Sequence, residues 1–225
     1  MMEDAFVRVA GTDGLPDRLH VAAWRDVPGI VAGMSLRPGG VSPKPWESLN
    51  CALHVGDDPE RVLENRRRLS LAAGFSPDAW TCAEQTHENR VRVVRAEDRG
   101  AGRLARETAF PATDAMITRE EGILLASFHA DCVPLYFVDP ANRAVGIAHA
   151  GWRGTALNVA GATIRAMKEA FGTRPADLLA AIGPSIGLCC YEVDETVAGR
   201  IGRAWAREKA NGRFMLDLKE ANRQF

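Results

Sequence analysis

The sequence lacks the features of an exported, membrane-spanning or broadly basic protein. Its start, MMEDAFVRVAGTDG, has neither the basic residues nor the apolar core of a secretory signal. No apolar run approaches the roughly 18 residues that a helix needs to cross a bilayer. Its 28 Lys and Arg nearly balance 29 Asp and Glu, so no broad positive field attracts nucleic acid or anionic lipid. We therefore predict a cytoplasmic protein whose partners include neither nucleic acid nor a membrane.

Cysteine and histidine are scarce, with five residues of each. An odd number of cysteines cannot all pair within one chain, and the cytosol keeps thiols reduced. A disulfide framework is therefore a poor interpretation, and thiol or metal chemistry is a better use of these side chains. The small number of histidines also limits how many metal ions the protein could hold.

The distribution of apolar residues predicts an α+β, or mixed α/β, class. No repeat and no Pro/Ser-rich linker divides the 225 residues, which favours a single domain. Helical caps or spacing occur after Asp58-Pro59, after Thr155, through Val193–Trp205 and after Asp217. Three apolar runs follow one another between Gly122 and Ala148, which favours neighbouring antiparallel or mixed strands over a regular βαβ winding. Eight runs have the length of strands: LHVAA, GIVAGM, VRVVR, DAMIT, GILLASF, VPLYFV, AVGIA and LLAAIG.

The end of the chain suggests a missing segment. Asp217 and Glu220 form a capping box for a helix that reaches only Phe225, with no glycine or proline to end it. A frayed terminal helix is the alternative. We predict one catalytic domain over residues 1–225 that lacks its C-terminal segment.

Residues capable of chemistry cluster in the stretch SFHADCVPLYFVDPANRAVGIAHAGWRGT. His129, Asp131 and Cys132 occupy a polar break between two apolar strands, and His149 follows the strand AVGIA. Strand ends often carry functional sites, because the scaffold is rigid there. A single Cys or His is commonly structural. Four such residues within 21 positions, each at a break in an apolar run, favour a functional site.

His87, in the segment AEQTHENRVRVV, precedes another predicted strand. With Cys132 and His149 it would form the ligand set of an open zinc site, whose fourth position is left for water or substrate. The local spacing of a zinc finger is absent, so spacing alone is a weak signal. His20 is interpreted as structural, and His54 is left undecided.

The turn HAGWRGT has the properties of an anion site. Its two glycines let the backbone approach a ligand, Arg153 offers a positive fork, and a helix beginning at Thr155 would point free N–H groups at the same place. A tight turn with a solvent-facing Arg is an equally open interpretation.

A second cysteine feature follows the strand LLAAIG. Cys189 and Cys190 are adjacent, and adjacent cysteines seldom bond to each other because the geometry is strained. They could bind a soft metal, face a pocket or simply pack, and packing is the favoured interpretation.

Seven blocks of this sequence occur in the order typical of one family: SLNCALHVGDD, ENRRRL, EQTH, TDAMIT, HADCVPLYF, AHAGWRGT and IGPSIGLCCYEV. On these blocks the chain resembles the laccase-like, or polyphenol oxidase, family from about Gly29 to Phe225. Members of that family are described as purine nucleoside phosphorylases with adenosine deaminase activity, and a bacterial branch as a peptidoglycan editing factor. The resemblance implies a layered α/β/β/α sandwich similar to the cysteine-hydrolase domain of a CNF-type toxin.

The resemblance also implies roles for particular residues. The zinc ligands of the family correspond to His87, Cys132 and His149, and the last two also form a possible catalytic dyad. Family chains usually continue beyond the point that corresponds to Phe225, with an aromatic-Ser-x-Arg-Arg segment. If that segment lines the pocket, the chain is incomplete as an enzyme.

The first functional hypothesis is a zinc enzyme acting on adenosine, inosine and methylthioadenosine as a phosphorylase, and on adenosine as a deaminase. Zinc would activate water, Arg153 would hold phosphate, and Asp131 or Glu192 would carry protons. The second hypothesis makes Cys132 a nucleophile and His149 its base, in an amidase that edits a cell-wall peptide precursor.

The third hypothesis is a copper-dependent polyphenol oxidase. A multicopper centre needs more histidines than the five present, so copper could at most replace zinc in the same site. A non-enzymatic metal-binding module would leave the open coordination position unused. The oligomeric state is left open.

Overall fold

The computed structural model describes residues 5–224. These residues form two compact units. The first unit contains the chain up to Ala83 with Val94–Phe110 and Glu120–Phe128. The second contains Glu84–Val93, Pro111–Arg119 and the chain from His129 onward. The chain thus enters each unit more than once, and the single domain predicted from the sequence stays a prediction.

Thirteen strands and five α-helices lie within residues 5–224. The strands are β1 (Phe6–Val9), β2 (Arg18–Val21), β3 (Gly33–Ser35), β4 (Trp80–Cys82), β5 (Val91–Val93), β6 (Ala115–Thr118), β7 (Leu124–Ala126), β8 (Val133–Asp139), β9 (Ala144–Ala150), β10 (Leu179–Ile182), β11 (Glu192–Val193), β12 (Ala206–Glu208) and β13 (Phe214–Leu216). The helices are α1 (Pro59–Ala72), α2 (Trp152–Ala156), α3 (Val159–Phe171), α4 (Glu195–Ile201) and α5 (Leu218–Gln224).

The first unit holds two small sheets and the longest helix of the described chain. The strands β1, β2 and β3 form an antiparallel sheet, while β4 and β7 pair in parallel. The helix α1 begins as predicted, because the Asp58 side chain accepts a hydrogen bond from the Glu60 amide and Pro59 occupies the first turn.

The second unit is built on a five-stranded sheet in the order β10-β8-β9-β6-β5. The strands β8 and β9 form an antiparallel hairpin, and all seven residues of β8 are buried, as expected for a strand covered on both faces. The helix α3 packs across β9, β6 and β5 through Val159, Thr163 and Met167, which lie one helical turn apart on one buried face. A second sheet has the order β11-β13-β12.

The α+β class predicted from the sequence is confirmed, and each of the eight apolar runs contains strand residues. One inference about strand pairing is wrong. Of the three strands between Gly122 and Ala148, β8 and β9 pair antiparallel, but β7 pairs in parallel with β4. Residues 127–132 separate β7 from β8 by more than the two to five residues, roughly, of a hairpin loop.

The predicted cap at Thr155 is also wrong. Thr155 lies inside α2 and is buried, and α3 has its own N-cap. At that cap the Asn158 side chain accepts a hydrogen bond from the Gly161 amide at 2.7 Å, with the Asn158 backbone in the left-handed region at φ 53°. The apolar periodicity continues through Asn158, and so it hides the break between the two helices.

The last two predicted helices are present, and the first of them is shorter than expected. The helix α4 begins after an Asp194 cap, so Val193 belongs to β11 and Trp205 lies beyond the helix end. The helix α5 has the predicted Asp217 cap, since Asp217 accepts a hydrogen bond from the Glu220 amide at 3.0 Å. The Glu220 carboxylate pairs instead with an arginine one turn later.

Two sequence interpretations fall on undescribed residues. Phe225, the expected last residue of the final helix, lies outside the described part. The first four residues of the chain also lie outside it. Within residues 5–224, no helix combines the length and the apolar composition needed to cross a membrane.

Candidate metal centre

The three residues predicted as metal ligands lie together in the second unit. The ligand atoms of His87, Cys132 and His149 are all within 4.8 Å of one another. His149 is buried, Cys132 is half-buried and His87 is exposed, so the group is open to solvent on the His87 side.

Each ligand comes from a different part of the sheet. Cys132 directly precedes β8, and His149 lies inside β9, one residue before its end and opposite Pro134 of β8. The sequence had placed His149 just after this strand. His87 lies in the loop before β5, in the left-handed region at φ 65°, which is uncommon for a residue other than glycine.

Asp114 holds two of the three ligands in place, and sequence reasoning did not select it. Its carboxylate accepts hydrogen bonds from three consecutive backbone amides, those of Thr86 at 3.0 Å, His87 at 2.9 Å and Glu88 at 2.9 Å. These contacts stabilise the unusual backbone of His87. The same carboxylate lies 2.8 Å from Nδ1 of His149. Since an ionised carboxylate only accepts, Nδ1 carries the proton and Nε2 is left to bind a metal.

The sequence did contain a signal for this residue. Asp114 starts the block TDAMIT, immediately before β6. A metal-binding histidine almost always donates its second ring N–H to a carboxylate, a carbonyl or a water. A search for such a partner of His149 at strand ends would have included Asp114.

The hydrogen bonds of the centre decide its charge. Burial alone would lower the pKa of His149, but its hydrogen bonds with Asp114 and Cys132 outweigh burial and raise the pKa to about 9. Burial would raise the pKa of Asp114, but the hydrogen bonds from His149 and the three amides hold it below its usual value. The ionised Asp114 therefore favours a positive charge at His149, which either a proton or a metal ion supplies.

His87 and His129 are held in their neutral form. Loss of hydration at the ring, which is only partial for the exposed His87, lowers the pKa of each together with the neighbouring His149, and that of His129 falls to about 3. His129 completes the predicted cluster, with Nδ1 3.2 Å from the carbonyl oxygen of Cys132 and its ring centroid 5.2 Å from that of His149. A neutral imidazole is the form that binds metal.

Gly151 gives the ligands the space that they need. A Cβ atom at this position would lie 2.9 Å from Cδ2 of His87 and 3.0 Å from Sγ of Cys132. Real Cβ atoms rarely come that close, so a side chain here would require His87 and Cys132 to shift. The two side chains therefore pack directly against bare backbone.

The donor set fits a transition metal. Two imidazole nitrogens and one thiolate suit zinc, with a fourth position open, and copper accepts the same donors. The ligand atoms are close enough for one ion to reach all three with small side-chain movements. The geometry supports a metal-binding site and leaves the identity of the ion open.

The predicted anion site is partly altered. Because the helix begins at Trp152 and not at Thr155, Arg153 lies on α2 itself. Its guanidinium carbon is 5.2 Å from the centroid of the Trp152 ring, and that of Arg200 is 5.8 Å from the same ring. The guanidinium groups of Arg153 and Arg200 thus both lie near the ring of Trp152, which follows the strand β9 that carries His149.

The two predicted proton carriers differ in their surroundings. Asp131 is exposed and adjacent to Cys132, and both contribute, after burial, to the raised pKa of Tyr191. Glu192, in the β11-β13-β12 sheet, forms ion pairs with Lys209 and Arg213, so its carboxylate is already paired.

The remaining histidines and cysteines do not belong to this ligand group. His20 accepts a hydrogen bond from Nε of Arg18 at 2.9 Å, which agrees with its structural interpretation. His54 packs edge-on against a phenylalanine ring, with centroids 5.9 Å apart. The interpretation that Cys189 and Cys190 pack is wrong, because both are exposed.

Comparison with known proteins finds similar sequences and structures. The chain is 45% identical over 203 residues to the "Purine nucleoside phosphorylase YlmD" of Geobacillus stearothermophilus, an overlap that covers 87% of this chain and 74% of that protein. It is 34% identical over 206 residues to the "Adenosine deaminase RL5" of an unknown prokaryotic organism, covering 88% and 78%. The crystal structure of YlmD from G. stearothermophilus superposes with a TM-score of 0.90 at 43% identity, covering 98% of this chain and 82% of that one.

A family model described as "Multi-copper polyphenol oxidoreductase laccase" matches residues 31–225, which is most of the chain. The matched region includes all three ligand residues and Asp114. This chain therefore belongs to the multi-copper polyphenol oxidoreductase laccase family, as the resemblance of its sequence blocks implied.

Proposed function

We propose that this chain is a zinc-dependent enzyme that cleaves purine nucleosides with phosphate and also deaminates adenosine. The proposed substrates are adenosine, inosine and methylthioadenosine. The observation that carries the proposal is the group of His87, Cys132 and His149, held in place by Asp114. The names of relatives, a purine nucleoside phosphorylase and an adenosine deaminase, supply the reaction classes.

The residues around the group have separate tasks in this proposal. Zinc held by the three ligands supplies Lewis-acid chemistry. Asp114 fixes the tautomer of His149, so that Nε2 is the atom that binds the ion. Arg153, with Arg200 against the same indole, provides positive charge for phosphate, which guanidinium groups bind bidentately. Asp131, exposed beside Cys132, is the proposed proton carrier.

The test is an assay of zinc-loaded protein with adenosine, with and without phosphate, in which adenine, ribose 1-phosphate and inosine are followed separately. We expect adenine and ribose 1-phosphate only when phosphate is present, and inosine under both conditions. His87→Ala removes a ligand and should abolish both reactions, whereas His20→Gln, at a histidine outside the centre, should retain them. If no product forms under either condition, the nucleoside proposal is wrong.

A second candidate function is favoured by the order of the hydrogen bonds. His149 is hydrogen-bonded to both Cys132 and Asp114. A cysteine hydrolase links its nucleophile, base and orienting carboxylate in the same order. The proposed substrate would then be the amide of a cell-wall peptide precursor. A thiolate bound to a metal is not free to attack, so the two candidates exclude each other.

His87 separates the two candidates, because the metal enzyme needs it as a ligand and the hydrolase does not. Stoichiometric zinc that is lost in both Cys132→Ala and His87→Ala favours the metal enzyme. Amidase activity that survives exhaustive chelation and the His87→Ala change would establish the hydrolase instead.

A multicopper oxidase is not favoured, although the family description names one. The chain has five histidines, of which three lie at or beside this single site. One copper ion could replace zinc on the same ligands, because copper binds such donors more tightly than zinc. We therefore propose weak oxidase activity only for copper-loaded protein.

A further inference from the structure

Cys189 and Cys190 form a thiol pair that the candidate metal centre does not use. Both are exposed, and their Sγ atoms lie 2.8 Å apart, within hydrogen-bonding distance. The hydrogen bond with Cys189 raises the pKa of Cys190. Two sulfurs therefore face solvent at one place on the surface.

The backbone of the turn keeps the pair together. The amides of Cys190 and Tyr191 both donate to the carbonyl oxygen of Gly187, each at 3.0 Å. The amide of Ile186 donates to the carbonyl oxygen of Asp131, also at 3.0 Å. The turn is thus fixed from within and is also tied to the loop that precedes β8.

The other three cysteines offer no comparable pair. Burial raises the pKa of Cys51, to about 12, and also that of Cys82, so both thiols stay protonated. Cys132 lies among histidines. All five cysteines are within the described residues, so the exposed pair is the one place where two accessible thiols meet.

The pair is better suited to binding an ion than to closing a disulfide. Adjacent Cα atoms are about 3.8 Å apart, whereas ordinary disulfides need at least about 4.4 Å. A bond between the two sulfurs would be strained and easily reduced. The dithiol is therefore the stable form in a reducing compartment, and it leaves both sulfurs available as ligands.

We propose that Cys189 and Cys190 form a chelating site for a soft, thiophilic cation of the class of monovalent copper or trivalent arsenic. Thiolates select such ions over hard cations such as Mg²⁺ and Ca²⁺. Once one sulfur has bound, the second is already in place, which strengthens binding by about 10²- to 10⁴-fold over a single thiol. This site is independent of the proposed nucleoside chemistry.

Phenylarsine oxide is a direct probe of a paired thiol. Each Sγ–H gives up its proton, two As–S bonds form as the As=O bond breaks, and the oxygen leaves as water with both protons. The oxidation state of arsenic does not change, so no oxidant or reductant is needed. Glutathione in excess removes arsenic held by one thiol and leaves the chelate.

The experiment measures the intact mass of the reduced full chain after phenylarsine oxide and excess glutathione. We expect one phenylarsenic group per chain in the wild type, and retention at least about 100-fold weaker in Cys189→Ser and in Cys190→Ser. Cys51→Ser and Cys132→Ser are the matched controls and should keep the adduct. The circular dichroism of each variant reports that it is folded.

Three results would overturn the proposal: no adduct on the wild type, an adduct that survives in Cys189→Ser or Cys190→Ser, or its loss in Cys132→Ser.

Monovalent copper gives a second readout in the Cys132→Ser background, by competition with a chromophoric chelator. The exposed pair should hold one copper ion there, and adding Cys189→Ser should release it. Equal retention by both proteins would also contradict the site.

Discussion

At Asp114 one buried carboxylate accepts hydrogen bonds from three consecutive amides and from the ring of His149. It therefore fixes both the loop that carries His87 and the tautomer of a second ligand. Such contacts behind a metal ligand typically account for a 10- to 100-fold effect, roughly, on metal affinity. The residue that organises the site is thus not itself a ligand.

We predict that Asp114→Asn weakens zinc binding by about 10- to 100-fold, because the amide lacks the negative charge and turns an N–H₂ group toward donors. Competition with a chromophoric zinc chelator measures the change. Asp139→Asn is a matched control, since Asp139 is buried at the opposite end of β8 from Cys132 and accepts hydrogen bonds from the amides of Ala141 and Asn142. It should lower stability without weakening zinc binding. Equal zinc affinity in both variants would contradict the role of Asp114.

Gly151→Ala should also weaken zinc binding, because its Cβ would displace His87 and Cys132 from their positions. The same titration measures the effect. Gly199→Ala, inside α4, is the control: its Cβ would meet only a Glu195 oxygen at 3.8 Å, and alanine favours a helix by about 0.5–1 kcal/mol over glycine. Unchanged zinc affinity in Gly151→Ala would show that the ligands can move to accommodate the methyl group.

The ligands could be predicted from the sequence, whereas their support could not. His87, Cys132 and His149 stand at breaks in apolar runs, which is a local pattern. Asp114 is separated from His87 by 27 residues and from His149 by 35. Its role follows from the pairing of β6 with β9, which no local pattern encodes.

Among the elements, α2 and α3 show how a residue can separate two helices that share one apolar periodicity. Asn158 adopts a left-handed backbone and caps α3 with its side chain. Asparagine tolerates this conformation better than most residues. Because α2 begins at Trp152, Arg153 lies in a helix. A single helix beginning at Thr155 would have left Arg153 in a turn.

We predict that Asn158→Ala destabilises the protein by roughly 2 kcal/mol, about half from the lost cap and the rest from placing alanine at positive φ. Asn158→Gly should cost only a few tenths, because glycine tolerates this φ. Denaturant unfolding measures both. Asp194→Ala removes an N-cap at an ordinary φ of −86° and should cost about 1 kcal/mol. If the alanine and glycine variants at Asn158 are equally stable, the backbone strain is unimportant.

Strands were predicted more reliably than their partners. Each apolar run contains strand residues because alternation and burial are local properties of the sequence. Partner choice depends on turns and on distant segments, and β7 therefore pairs with β4, far away in the sequence. The strand β11 has two residues, which is too few for an alternating pattern to indicate it.

At the scale of the whole molecule, metal binding should contribute to stability. An ion that binds only the folded state raises the free energy of unfolding, by about 4 kcal/mol at 1,000 times its dissociation constant. We predict that chelation lowers the unfolding temperature of the wild type and has no effect on Cys132→Ala. Thermal unfolding with and without a chelator measures this shift. Equal melting temperatures for the wild type under both conditions would contradict a metal bound in the folded state.

The α+β class and the family were accessible from the sequence, but the two compact units were not. Composition is even along the chain, and no linker marks a boundary. The units are made of interleaved segments, so their limits depend on long-range contacts. The predicted cytoplasmic location stays a prediction.

The positions of these segments along the chain also determine the order in which the ribosome makes the two units. The first unit ends at Phe128, so a ribosome has translated all of it before it reaches Cys132 and His149. A nascent chain that stops short of β9 carries at most two of the three ligands. An ion that needs all three side chains could therefore bind only after residue 149 of the 225 has been added.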